Sequence, residues 1–110
     1  MNESTAEKPL ITIPGATGNN YQFRVYEWGT VFNPVCAVYL VLSKSARDIY
    51  TILYVGQTSD LSCRFDFHHK QPCFDRQHKT HVGVLVEKSE ARGLLIKTDL
   101  IDGHRPVCNC

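Results

Sequence analysis

The sequence predicts a mixed α/β domain of the α+β class, with a central, mainly antiparallel three-stranded sheet flanked by helices and extra strands at the N-terminus. Three apolar runs predict the central strands, at 35–42, 49–55 and 81–86. The first run is almost continuously apolar, which is typical of a strand that is buried on both faces, and the second is rich in β-branched and aromatic residues. The first two runs lie close together in the sequence, which indicates that they form an antiparallel pair.

The N-terminal part is predicted to be a lead-in over residues 1–20, with a single domain over residues 21–110. Prolines and glycines punctuate the lead-in and favour turns over a long helix. Residues 10–13 have the composition of a short edge strand. Residues 21–26 alternate in the manner of a strand, and residues 30–32 are expected to return as a hairpin arm.

The first helix is predicted to begin at a cap within residues 58–60 and to end at Pro72. Apolar side chains recur at helical spacing from Leu61 onward. Arg64 and His68 would be neighbours on this helix, since residues four apart share a face.

A second, amphipathic helix is predicted near the C-terminus. Residues 70–79 before it are expected to form a polar loop. Ser89 is a suitable N-cap, and Glu90 places a carboxylate in the first turn, where it suits the helix dipole. Gly103 stands where a helix C-cap is expected.

The composition is that of a globular protein with one core. The chain has 110 residues, of which 43% are hydrophobic and 21% charged. Its longest apolar run, 35–42, is too short to cross a membrane, so no membrane partner is expected. The polar N-terminus carries no secretory signal pattern, which favours a cytoplasmic location with reduced thiols. A disulfide through Cys108 or Cys110 remains an alternative.

The charge is distributed unevenly. Residues 61–110 hold eight Lys or Arg against six Asp or Glu, and all five histidines, although the net charge of the whole chain is only +1. This mild basic bias is compatible with a polyanionic partner.

Short motifs occur in a fixed order along the predicted strands and helices. They are Ala37-Val38-Tyr39, Tyr54-Val55-Gly56, Leu61-Ser62-Cys63-Arg64 with His68 four residues on, and Leu100-Ile101 followed by Pro106 and Asn109. This ordered set resembles the GIY-YIG nuclease superfamily over residues 35–109. The resemblance implies a small GIY-YIG-like endonuclease domain that cleaves phosphodiesters with a divalent metal, Mg²⁺ or Mn²⁺.

The resemblance also implies roles for single residues. Tyr39 and Tyr54 are candidates for the general base, and Arg64 would clamp the phosphate and lower a tyrosine pKa. His68 would share proton transfer or contact a phosphate. The remaining candidate nucleic-acid contacts are Gly56, Lys70, Lys97 and Asn109.

The sequence departs from the family pattern at two positions. Ala37 stands in place of the first glycine, and Lys97 stands in place of the metal-binding glutamate. An ammonium group has no lone pair for a cation, and the helical neighbours of Lys97 at positions 93, 94, 100 and 101 include no carboxylate. We therefore expect no metal ligand there and impaired cleavage.

Several functions stay open at this point. The domain could be a nuclease with an unusual metal site, or a DNA-binding domain that does not cleave. A third alternative is a protein-interaction module or homo-oligomer that uses the strands within 21–32 as an exposed edge. The basic segment 64–81 favours nucleic acid, DNA being the expected form. The cysteines and histidines fit no standard zinc spacing, so zinc is not expected.

Overall fold

The centre of the molecule is an antiparallel sheet of five strands. The computed structural model describes residues 8–65 and 68–109. The strands are β1 (Leu10–Pro14), β2 (Asn20–Glu27), β3 (Ala37–Lys44), β4 (Tyr50–Thr58) and β5 (His81–Val86). Their order in the sheet is β1-β2-β5-β3-β4, and every neighbouring pair is antiparallel. The helices are α1 (Gln71–Arg76) and α2 (Glu90–His104), with 3-10 turns at Leu61–Cys63 and Val107–Asn109.

The predicted α+β class is confirmed, but the sheet has five strands and not three. The three central strands form at the predicted runs, and β3 and β4 pair antiparallel as expected. The N-terminal strands extend the same sheet, because β2 buries Phe23 and Val25 against its core and pairs with β5. β1 forms an outer strand, as expected for residues 10–13.

The prediction of an exposed edge within residues 21–32 is wrong. β2 has a partner on each side, β1 and β5, so its backbone groups are already paired. Residues 30–32 form no strand, because the turn at Trp28 and Gly29, where Gly29 has a φ of 96°, leads the chain away from the sheet. Among the described strands, the outer edges belong to β1 and β4.

The predicted first helix, from residues 58–60 to Pro72, is also wrong. The Asp60 carboxylate accepts a hydrogen bond from the Ser62 N–H at 2.9 Å and closes a short 3-10 turn instead. α1 begins only at Gln71 and runs through the segment predicted to be a loop. Pro72 lies in its first turn, where a missing N–H costs no hydrogen bond.

The N-cap of α2 is confirmed, since Ser89 Oγ accepts from the Arg92 N–H at 3.1 Å. The C-cap is Arg105 in the left-handed conformation, two residues beyond the predicted Gly103. Gly103 lies inside the helix, where an added Cβ would sit 3.0 Å from the backbone nitrogen of Ala16. Within the described residues, no helix combines the length and apolar character needed to cross a membrane.

The sheet carries a core on each face. On β3, Ala37, Tyr39 and Val41 belong to the first core, whereas Val38, Leu40 and Leu42 belong to the second. The first 3-10 turn and α1 cover the first core, and α2 covers the second. Both faces of β3 are covered from Ala37 to Leu42, which accounts for the unbroken apolar sequence of that part of the strand.

A carboxylate fastens the N-terminal segment to α2. Asp99 accepts hydrogen bonds from Thr17 N–H at 2.9 Å, from the Thr17 hydroxyl at 2.8 Å and from the Tyr21 hydroxyl at 2.7 Å. Gly15 lies against this carboxylate, and an added Cβ there would be 2.0 Å from Asp99 Oδ2. Residues 15–17 of the lead-in are therefore packed against α2.

Cys73 and Cys108 form a disulfide between α1 and the second 3-10 turn. The expectation that all cysteines are reduced is wrong for this pair, because packing brings two Cα atoms that are 35 residues apart in sequence to within 5.8 Å. Cys36 and Cys63 are free thiols, and Cys110 lies outside the described residues. The cytoplasmic location stays a prediction.

Candidate functional site

The two motif tyrosines lie side by side on the first core. In the β3–β4 register, Tyr39 is opposite Gly56 and Val41 is opposite Tyr54, which places both tyrosine side chains on the same face. Their ring centroids are 6.0 Å apart. Tyr39 is completely buried and Tyr54 is 6% exposed. The strand pairing thus joins residues that the sequence presents in two separate motifs.

Gly56 provides the space that the Tyr39 ring occupies. A Cβ added to Gly56 would lie 2.3 Å from Tyr39 Cζ and 2.4 Å from its hydroxyl oxygen. Atoms cannot approach so closely, so a residue with a side chain would displace the ring. In this structure Gly56 contributes to the site by positioning Tyr39.

Two donors point at the phenol oxygen of Tyr39. Arg64 Nε–H donates to it at 3.0 Å, and His68 Nε2 lies 2.8 Å from it. The Lys70 backbone N–H donates to His68 Nδ1 at 3.0 Å, so the proton of the neutral ring resides on Nε2. His68 therefore donates to Tyr39, and the Tyr39 hydroxyl accepts twice.

Burial decides the protonation of this group. It raises the pKa of Tyr39 to about 12, although the hydrogen bond and charge of Arg64 act to lower it. Burial also lowers the pKa of His68 to about 4, helped by the positive charges of Arg64, His69 and Lys70. At neutral pH the cluster consequently contains a neutral phenol, a neutral imidazole and one guanidinium.

The low pKa of His68 should make the protein less stable in acid. The ordinary pKa of a histidine side chain, 6.5, applies to the unfolded chain, whereas the pKa of His68 in the folded protein is about 4. As the pH falls, the unfolded chain therefore takes up this proton before the folded protein does. The contribution of His68 is fully present above pH 6.5 and is lost progressively between 6.5 and about 4. Urea unfolding of the wild type and His68→Gln at both ends of this range should show a smaller pH dependence in the variant.

An NMR titration of the imidazole provides the control for this expectation. The Nε2–H tautomer should persist as the pH is lowered through 6.5. A midpoint at that pH, or an Nδ1–H tautomer, would contradict the hydrogen-bond arrangement of Tyr39, His68 and Lys70.

Arg64 presents the charge of the cluster to the surface. Its side chain is partly buried, and Nε is engaged by Tyr39. Burial acts to lower the pKa of Arg64, but the hydrogen bonds and charges of Tyr39 and Tyr54 raise it overall. The terminal nitrogens form no ion pair with any residue that the structure describes. A guanidinium held in this way can bind an anion through its remaining donors.

Several residues that support the cluster carry no obvious signal in the sequence. The His69 ring stacks on His68 with centroids 4.8 Å apart and an interplanar angle of 13°. Phe65 meets the Tyr39 ring at 5.1 Å, and Phe74 meets the His68 ring at 4.9 Å. Phe74 is fully buried, although its segment was expected to be a polar loop. An apolar aromatic in such a segment is the only local hint of its role.

Asn109 is engaged in holding the chain terminus to the sheet. Its Oδ1 accepts from the Val55 N–H at 2.9 Å, and its Nδ2 donates to the Val55 carbonyl at 3.0 Å. These two bonds satisfy the backbone of Val55 on the outer edge of β4. The side-chain amide of Asn109 thus anchors the second 3-10 turn beside the cluster.

Lys97 is not brought together with the other candidates. It lies on α2, whose Ile96 and Leu100 pack into the second core, whereas Tyr39 and Tyr54 belong to the first. The sheet therefore separates the helix of Lys97 from the cluster.

The donors near the cluster do not fit a hard divalent metal ion. Mg²⁺ and Mn²⁺ prefer carboxylate and other oxygen ligands, whereas His68 uses both ring nitrogens in hydrogen bonds with Tyr39 and Lys70. Across residues 8–65 and 68–109, no group of three or more His, Cys, Asp or Glu side chains could hold a metal ion.

No family model, curated protein or solved structure matches this chain. The function must be inferred from the chemistry of the cluster itself.

Proposed function

We propose that this domain binds the phosphate groups of nucleic acid, in the first instance DNA, in the manner implied by its resemblance to GIY-YIG endonucleases, and that its cleavage of phosphodiesters is impaired. The observation that carries this proposal is the anchoring of Arg64 through Nε to Tyr39 at 3.0 Å. The planar guanidinium is held in one orientation, which suits the paired oxygens of a phosphate.

Impaired cleavage follows from the state of the candidate bases. Hydrolysis requires a group that takes a proton from water at neutral pH. Tyr39 is completely buried with a pKa of about 12, so it serves better as an anchor for Arg64 than as a base. Tyr54, which lies against the His68 ring at 5.0 Å, is the phenol left for that role. Since the described residues include no group of metal ligands, its activation would depend on Arg64.

Replacing Arg64 by alanine should weaken DNA binding by about tenfold or more, since a hydrogen bond to a charged group contributes about 1.5–3 kcal/mol. The loss of one phosphate contact should also reduce the slope of log affinity against log salt by about 0.9. Fluorescence anisotropy of a labelled duplex at several salt concentrations measures both quantities. Arg47→Ala is the matched control, because Arg47 is exposed in the turn at the far end of the β3–β4 hairpin.

Equal salt slopes for Arg64→Ala and the wild type would contradict the proposed phosphate contact. Absence of DNA binding in the wild type would favour the protein-interaction alternative, which would then use the outer edge of β1.

Supercoiled plasmid incubated with Mg²⁺ or Mn²⁺ should remain largely uncut. Rapid cutting that Tyr54→Phe abolishes would replace impaired cleavage by an active nuclease.

A further inference from the structure

A groove of about 260 Å³ lies between α1 and the second 3-10 turn. We call it the basic groove, and the described residues of its lining are His69, Lys70, Pro72, Arg76, Val107 and the Cys73–Cys108 disulfide. Two of these side chains carry a positive charge, and none of them is acidic. The groove therefore favours an anionic occupant.

The basic groove adjoins the cluster of Tyr39, Arg64 and His68. Its lining residue His69 stacks on His68 and lies 6.4 Å from the Tyr54 ring, measured between centroids. Arg76 is at the opposite end of α1, about 9 Å from Lys70 along the helix axis at the usual rise per residue. Arg76 therefore extends the positive charge of this surface beyond Lys70 and provides a guanidinium for a second anion.

Arg76 has its charge available for such a contact. The side chain is exposed and forms no ion pair with a residue of the described chain. Its neighbour Asp75 is already bridged to Lys79, which also lowers the pKa of the Asp75 carboxyl. The nearest acidic group on α1 is thus engaged elsewhere and does not compete for Arg76.

The size of the basic groove indicates a part of a long ligand. Pockets that enclose a whole small molecule usually measure about 300–1,000 Å³, and this groove is smaller. The disulfide joins α1 to the second 3-10 turn, so the two walls keep a fixed separation. Such a fixed, shallow, basic surface suits a phosphate and its sugar better than a complete ligand.

We propose that the basic groove binds a second phosphate of the nucleic-acid strand whose first phosphate lies at Arg64. This inference rests on the proposed function and specifies its ligand: a strand recognised along its backbone over more than one phosphate. Contacts to phosphates position a strand without reading its bases, so binding should depend little on sequence.

The test compares a short single-stranded thymidine oligonucleotide with thymidine 5′-monophosphate as ligands. Arg76→Ala should weaken oligonucleotide binding by about tenfold and reduce the salt slope by about 0.7, the value for one phosphate of a single strand. The same substitution should leave the affinity for thymidine 5′-monophosphate unchanged, because the single phosphate of that ligand binds at Arg64. Arg76→Lys keeps the charge and should restore most of the slope, and Arg47→Ala should behave like the wild type.

The possible results separate this inference from the proposed function. If Arg64→Ala weakens oligonucleotide binding and Arg76→Ala does not, the second phosphate site is wrong and the first stands. If Arg76→Ala weakens both ligands equally, the two arginines serve one anion, which also overturns the second site. If the wild type binds the labelled duplex but no single-stranded oligonucleotide, the second phosphate site is wrong and the first stands. If it binds neither, both proposals fail.

Discussion

Replacing Cys73 and Cys108 by alanine is expected to lower the free energy of unfolding by about 4 kcal/mol. The disulfide closes a loop over a sequence separation of 35 residues, and removing it returns that conformational freedom to the unfolded chain. Because a domain of this size is stable by only about 5–15 kcal/mol, the change removes a large share of its stability. Chemical denaturation of the oxidised wild type and of the double variant measures the difference.

Reductant provides the internal control for the disulfide. It should lower the stability of the wild type toward that of the Cys73→Ala/Cys108→Ala variant and leave the variant unchanged. A Cys36→Ala/Cys63→Ala variant, which lacks the two free thiols of the described residues but keeps the disulfide, should still respond to reductant. If reductant leaves the unfolding midpoint of the wild type unchanged, the Cys73–Cys108 disulfide does not form in solution.

Replacing Gly56 by alanine is expected to lower the free energy of unfolding by about 3 kcal/mol, near the upper end of the usual cost of overpacking. The added Cβ would lie 2.3 Å from Tyr39 Cζ, and the completely buried ring has no free space to enter. A displaced ring would also lose its hydrogen bonds with Arg64 and His68. Denaturation gives the stability, and NMR of the His68 ring protons reports the broken contact.

Gly83→Ala is the matched control, since Gly83 also lies opposite a buried residue of β3, Leu40 in place of Tyr39. An added Cβ there would be 3.3 Å from Leu40 Cδ1, a methyl group at the end of a flexible side chain. Its cost should be clearly smaller than that of Gly56→Ala. The smaller Tyr39→Leu side chain should relieve part of the Gly56→Ala cost in a double-mutant cycle. Equal costs at the two glycines, or no coupling in the cycle, would contradict the close contact.

The failures of sequence-based prediction have identifiable causes. The segment after Asp60 has helical spacing of its apolar residues, but the Asp60 side chain bonds to Ser62 and closes a tight turn. Pro72 is compatible with the end of one helix or the first turn of the next, and the structure uses the second possibility. A glycine such as Gly103 suits a helix C-cap, and it also suits a position where another segment packs closely on the helix. Gly103 has the second role here, because the backbone of Ala16 packs against it. In each case one local signal permits two structures.

The sequence by itself determined the three buried strands and the start of α2, because an apolar run and the Ser89 cap act through neighbouring residues. Tertiary structure alone decided that the sheet has five strands and that Tyr39 joins Arg64 and His68, which are 25 and 29 residues away along the chain. The Cys73–Cys108 pair likewise depends on a separation of 35 residues. Such contacts arise from the packing of whole elements, and no local pattern encodes which distant side chains will meet. The motif order indicated the candidate site residues. The fold brings Arg64 into hydrogen-bond contact with Tyr39 and places the helix of Lys97 on the opposite face of the sheet.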